Sequence, residues 1–206
     1  MTRVKICGIT REEDAVLAAA LGASAVGFVF WPGSPRAVMP RRARQIVRAL
    51  PPLVSVVGVF VDQPFDEVEA TAAAVPLDAV QLHGDECPRD WARLRQRMIR
   101  AVTAERLEEA EAWSLRVTLL VDAVEGSRRG GTGRCVDWQA VAPVARRRPV
   151  ILAGGLSPDN VARAICTVHP FAVDVASGVE SSPGVKDPAR LRAFFAAVAG
   201  VEADRP

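Results

Sequence analysis

The residues of this chain that could do chemistry stand at the ends of short apolar runs. VKICGIT brings the first such run to a close at Cys7, with Gly8 directly behind it. A thiol in that place is either a small core residue or a base aimed at a ligand, because the thiolate is the reactive form. Asp122 closes TLLVD, and a partly desolvated carboxyl there can hold a proton near neutral pH and deliver it. Asp174, in DVASG, suits an orienting role as well as a chemical one. His83, in VQLHGDE, is a candidate proton carrier and equally a hydrogen-bonded structural residue. Arg36, in FWPGSPRAV, can grip a carboxylate through two parallel N–H bonds, whereas Arg41, Arg42, Arg44 and Arg48 read as a solvated helix face. Gly154 and Gly155 in LAGGLSPDNV, and Ser177 and Gly178 in DVASGVE, mark turns whose backbone N–H groups can approach an anion. Ser157 and Pro158 fit the N-cap and first position of a following helix. Gly131 and Gly133, in a long Gly/Arg loop, are a candidate lid over the same ligand.

An anion cradle, an arginine clamp, a thiol and an acid suit proton transfer on a phosphorylated small molecule, hence an isomerase or a lyase working without a cofactor. Four scattered cysteines without a C-x-x-C pair, and two histidines, give no expectation of a metal site or a disulfide framework. The net charge of +2 offers no argument for nucleic acid or an anionic membrane. Of 26 basic residues only Lys5 and Lys186 are lysine, which, with the abundance of alanine, reads as a coding bias. No apolar run approaches the ~20 residues that span a bilayer, and no signal-peptide pattern opens the chain, so a cytoplasmic protein is expected.

The elements that must position these residues alternate regularly. Apolar runs predict strands over 3–7, 25–30, 54–61, 79–82, 99–103, 118–123, 150–153 and 172–175. Amphipathic stretches predict helices over 11–21, 40–50, 64–74, 88–96, 104–113, 138–145, 158–168 and 187–198. The strands are nearly continuous in apolar residues, as parallel strands buried on both faces are. Eight βα units without a composition break predict a single compact α/β domain over residues 1–200, a (β/α)8 TIM barrel, with a polar tail over 201–206. An open doubly wound sheet fits less well, because the distinctive residues recur after many strands instead of at one switch point. In a barrel the loops after the strands build the active site, and that is where all the residues above fall.

KICGIT, FWPGSPRAV, VQLHGDE, LLVDA, GGTGRCVDW, LAGGLSPDNV and DVASGVESSPGVKD together resemble the phosphoribosylanthranilate isomerase family of tryptophan biosynthesis, over nearly the whole chain. Val136 stands where the family often has a larger apolar residue. The resemblance implies a cofactor-free Amadori rearrangement. It makes Cys7 the general base and Asp122 the general acid, sets Arg36 on the anthranilate carboxylate, and gives the phosphate to Gly155, Ser177 and Gly178 with help from the 131–133 loop. A thiol at its ordinary pKa of about 8.5 would need to become more acidic, with helix dipoles, Lys5 or Arg36 as the candidate causes. Rival readings are a histidine-pathway-like sugar-phosphate isomerase, for which an acid in place of Cys7 is expected, and a non-catalytic phosphate-binding or thiol-sensing barrel. Monomer and homodimer both remain open.

Overall fold

The computed structural model describes residues 2–122 and 137–203, so the expectations placed on Gly131, Gly133, Cys135 and Val136 lie outside the described residues. Eight parallel strands close into a barrel in chain order: β1 (Arg3–Cys7), β2 (Ala25–Val29), β3 (Ser55–Phe60), β4 (Ala79–Leu82), β5 (Arg97–Thr103), β6 (Thr118–Asp122), β7 (Val150–Leu152) and β8 (Ala172–Val175). Pairing of β1 with β8 completes the circle, with Lys5 opposite Asp174. Helices α1 (Glu12–Ala20), α2 (Pro40–Val47), α3 (Phe65–Ala74), α4 (Trp138–Ala145), α5 (Val161–Val168) and α6 (Pro188–Ala203) connect the strands.

Each strand has two apolar faces, and the two faces fill separate cores. The outward faces carry Ile6, Phe28, Phe60, Leu82, Leu119, Leu152 and Val173, which pack beneath the helices. The inward faces carry Val57, Ala79, Ile99, Ala101, Leu120, Ile151, Ala153 and Ala172, which fill the lower lumen. This double burial is why the strand sequences do not alternate. Near the C-terminal mouth the lumen turns polar, with Lys5, Gln81, Asp122 and Asp174 all buried.

Two of the expected helices are not α-helical. After β4 the chain forms a 3-10 turn over Pro88–Trp91, and after β5 a 3-10 segment over Ala104–Ala112. The second is interrupted at Arg106 (φ −112°, ψ 25°), and few apolar side chains are present to bury one face of an α-helix. A side chain from just before β7 fastens its last turn and the loop after it. The buried Arg148 guanidinium donates to the carbonyls of Ala110 (2.9 Å), Ser114 (3.0 Å) and Val117 (2.6 Å). Between β8 and α6 lies an antiparallel hairpin of β9 (Glu180–Ser182) and β10 (Val185–Lys186), preceded by a 3-10 turn over Ser177–Val179. The α6 helix runs past Gly200 to Ala203, with Val201 buried.

Candidate active site

Cys7 ends β1 with its side chain in the lumen. Its register partner on β2 is Gly27, and a Cβ built there would sit 3.0 Å from Cys7 Sγ and 3.1 Å from Lys5 Nζ. The missing side chain therefore makes the slot that holds both groups. Val29, Val59, Trp31 and Ala176 complete an apolar wall around the thiol. Gly8 takes φ +73°, and a Cβ there would lie 2.5 Å from Arg36 Cδ. The space that Gly8 leaves is filled by the stem of Arg36, so the two motifs KICG and SPR form one surface.

Lys5 is 3% exposed, and its ammonium bonds Asp174 Oδ1 at 2.9 Å and lies beside the Cys7 thiol over Gly27. Burial acts to lower the Lys5 pKa, but the Asp174 carboxylate and Cys7 outweigh it and raise it above the usual amine range. The thiol moves the other way from the sequence expectation. Burial pushes Cys7 up and the Asp174 charge adds to this, while Lys5 and Lys186 only partly offset them. The resting group is thus mainly thiol at neutral pH, and Lys5 is the principal charge drawing it toward thiolate. Arg36, the other expected helper, is engaged elsewhere. It gives Nε and Nη2 to Glu180 at 2.9 Å and 2.7 Å.

Asp122, at the end of β6, is buried with its Oδ2 3.5 Å from His83 Nε2. The two residues lie on strands separated by β5, so their approach requires both to point across the mouth. Gln81 Nε2 lies 3.0 Å from His83 Nδ1. With Gln81 donating there, a neutral ring carries its proton on Nε2, the nitrogen facing Asp122. The loop that follows His83 is braced from behind. Arg100, buried on β5, donates to Gly84 O at 2.9 Å and pairs with Glu86, whose carboxylate also accepts the Gly84 and Asp62 N–H groups.

The two glycine turns touch. A Cβ on Gly178 would fall 1.9 Å from Leu156 O, so the turn after β8 packs directly on the turn after β7. Gly154 and Gly155 both take positive φ, 78° and 66°. The predicted cap is shifted, however. The α5 helix starts at Val161, not at Pro158, and Ser157 is not its N-cap. Asn160 explains the shift: its side chain accepts from Ser157 N at 2.8 Å and donates to Gly155 O at 2.9 Å, which folds 157–160 into a turn of its own. Ser177 and Gly178 are half-buried at the start of the 3-10 turn.

Three residues of the site escaped the sequence reading. Glu180 and Lys186 form a buried pair at 2.8 Å, and Lys5 was weighed only as one of several charges near the thiol. A signal was present: Lys5 and Lys186 are the only lysines in the chain, and both are buried against Cys7. Cys87 and Cys166 lie outside the lumen, on a loop after β4 and on α5. No group of three or more histidine, cysteine, aspartate or glutamate side chains able to hold a metal occurs among the described residues.

A family model described as N-(5'-phosphoribosyl)anthranilate (PRA) isomerase matches residues 4–197. The chain belongs to this family. It is 47% identical over 197 residues to the N-(5'-phosphoribosyl)anthranilate isomerase of Pelobacter propionicus, with 95% of this chain and 94% of the relative covered. Solved structures agree. One phosphoribosyl anthranilate isomerase in complex with reduced 1-(o-carboxyphenylamino)-1-deoxyribulose 5-phosphate has a TM-score of 0.85 at 42% identity, covering 97% of this chain and all of the other. A monomeric form of the dimeric isomerase from Thermotoga maritima has a TM-score of 0.87 at 40% identity, with the same coverage. The resemblance seen in the motifs and the barrel expected from the strand pattern are both met, and the protein is an isomerase of tryptophan biosynthesis. No helix among the described residues is long and apolar enough to cross a membrane.

Proposed function

We propose that the protein converts N-(5'-phosphoribosyl)anthranilate to 1-(2-carboxyphenylamino)-1-deoxyribulose 5-phosphate by general acid–base catalysis, without a cofactor. The observation that carries this reading is the convergence at one barrel mouth of the Cys7 thiol beside an ammonium, the buried Asp122 carboxyl and two glycine turns in contact. Asp122 gives its proton to the furanose ring oxygen, the C1–O bond breaks, and a protonated Schiff base forms. The Cys7 thiolate takes the C2 proton, and the C2–H electron pair moves into an enolamine. Tautomerisation to the ketone then adds one proton at C1 and removes one from the C2 hydroxyl, so that both groups end in their starting states. Each such transfer contributes about 10²–10⁴-fold.

Gly154, Gly155, Ser177 and Gly178 offer the phosphate site, where the absence of side chains at the glycines lets backbone N–H groups approach. Arg36 receives the anthranilate carboxylate, and the wall of Val29, Val59 and Trp31 faces the aryl ring. His83 and Asp174 act by orienting Asp122 and Lys5. The substrate reading agrees with the ligand carried by the related structure, a reduced form of the product. We take the protein to work in the cytoplasm as a monomer or a homodimer, binding neither nucleic acid nor membrane.

The test is to form phosphoribosylanthranilate in solution and follow the decay of its anthranilate-type fluorescence with purified protein in EDTA. Saturable, protein-dependent decay is expected. Absence of decay from folded protein would overturn the assignment and direct attention to other phosphorylated sugars.

A further inference from the structure

The motif DVASGVESSPGVKD contains two buried charged residues that the mechanism does not use, Glu180 and Lys186. Lys186 Nζ lies 2.6 Å from Cys7 O, 3.1 Å from Ala176 O and 2.8 Å from Glu180 Oε1. Three acceptors match the three hydrogens of an ammonium, whereas a neutral amine would have only two to give. Glu180 Oε1 also accepts from Arg36 Nε at 2.9 Å and from Gly184 N at 3.3 Å, and Oε2 accepts from Arg36 Nη2 at 2.7 Å. The hairpin carrying both residues is itself fastened to the β1 loop, where Thr10 Oγ1 donates to Gly184 O at 2.5 Å.

We propose that Glu180 is a positioning residue that aims Arg36 at the aryl carboxylate of the substrate, while Lys186 ties this arrangement to the backbone of Cys7. The inference rests on the substrate reading given above. Glu180 is 4% exposed at its side chain, too deep to meet a ligand, whereas Arg36 reaches the surface of the mouth at 12%. Glu180 occupies the Nε/Nη2 edge of the guanidinium. Among the described residues none bonds the end-on Nη1/Nη2 edge, which is a second bidentate carboxylate site. Charge agrees with this division. Arg36, Lys186 and Glu180 sum to +1, which one carboxylate neutralises. Burial acts to raise the Glu180 carboxyl, but the bonds from Arg36 and Lys186 outweigh it and hold it below the usual range, so it stays ionised. The chain thus links the group that grips the ring carboxylate to the strand end that carries the base.

The experiment compares two substrates: phosphoribosylanthranilate, and the analogue without the carboxylate, made by condensing aniline with ribose 5-phosphate. Glu180→Gln is expected to raise KM for the first by roughly tenfold or more, with kcat changed less than about threefold, and to cost the aniline analogue far less. In an Arg36→Ala background the same change is expected to add little, because the two residues act as one unit. Equal losses on both substrates, or a full loss persisting without Arg36, would assign Glu180 a general structural role and overturn the proposal. Should Arg36→Ala fail to discriminate between the two substrates, the carboxylate reading of Arg36 itself falls, and the proposal with it. If Glu180→Gln does not fold, Glu180→Asp replaces it: the charge beside Lys186 stays, the reach to Arg36 shortens, and the same discrimination is expected.

Discussion

Replacing Lys5 by methionine removes the positive charge beside the thiol and strands the Asp174 carboxylate in the lumen. The two effects have separate magnitudes. Hydrogen bonds to charged groups contribute about 1.5–3 kcal/mol, and 1.36 kcal/mol is a factor of ten in the thiol–thiolate equilibrium, so the thiol should hold its proton more tightly by about that factor or its square. Below the thiol pKa the thiolate falls about 10–100-fold, and kcat/KM falls with it. The direction is fixed by geometry: Lys5 draws Cys7 toward thiolate, and the released Asp174 charge pushes it further toward thiol. For stability, breaking a buried pair costs about 3–5 kcal/mol, whereas replacing both partners can be nearly neutral. Lys5→Met/Asp174→Asn is therefore expected to recover most of the lost stability but not the activity near neutral pH. The assay is kcat/KM against pH, together with the pH dependence of iodoacetamide labelling in a background where Cys87, Cys135 and Cys166 are serine. A rising limb that stays where it is in wild type, with the protein folded, would refute the claim that Lys5 governs the thiol.

Cys7→Ser and Asp122→Asn should each lower kcat by about 10²–10⁴-fold while leaving thermal unfolding nearly unchanged, and near-wild-type rates in either variant would remove that residue from the mechanism. Gly178→Ala forces a Cβ to within 1.9 Å of Leu156 O, so the two turns must separate; KM should rise at least about tenfold, with a stability loss of about 1–3 kcal/mol by urea titration. Arg100→Met should cost about 3–5 kcal/mol, and adding Glu86→Leu should not restore it, because the Gly84 and Asp62 N–H groups then lose their acceptor as well. The Cys7 thiol holds its proton more tightly folded than unfolded, so it contributes stability that is lost as pH rises past the ordinary thiol pKa of about 8.5; the urea midpoint should fall there relative to that of Cys7→Ser, and a difference that moves the other way would contradict the raised thiol.

The barrel was legible because its strands are buried twice. Residues such as Val57 and Leu120 fill the lumen while Ile6 and Leu119 meet the helices, and this double burial writes itself as uninterrupted apolar runs. The grouping of the candidate residues at one mouth followed from the same pattern, since it fixes which loops come after strands. The connections were less legible. Residues 88–96 and 104–113 have helical composition but little to bury, and the end of the second is fastened through Ala110 O by Arg148, more than 30 residues away in sequence. The β9–β10 hairpin is five residues of strand in a polar stretch, below what periodicity can detect. Ser157 and Pro158 carry an ordinary helix-start signal. The Asn160 side chain overrides it by bonding backward to Ser157 and Gly155, a competition that only the folded loop decides.

The ionic framework was hidden for a different reason. A buried Lys, Glu or Asp has the same letter as a solvated one, and the Lys5–Asp174 contact spans 169 residues that come together only when β8 closes on β1. Composition nonetheless held a trace of it. A chain that uses arginine for nearly all of its cations has lysine at two positions, and both are buried at the same mouth. Lys5 and the thiol share the space that the missing side chain of Gly27 leaves. The three acceptors of Lys186 suit the compact, rotatable donors of an ammonium, not a flat fork. A coding bias toward arginine therefore does more than colour the surface. It makes the exceptions informative, and here both converge on Cys7, the proposed base.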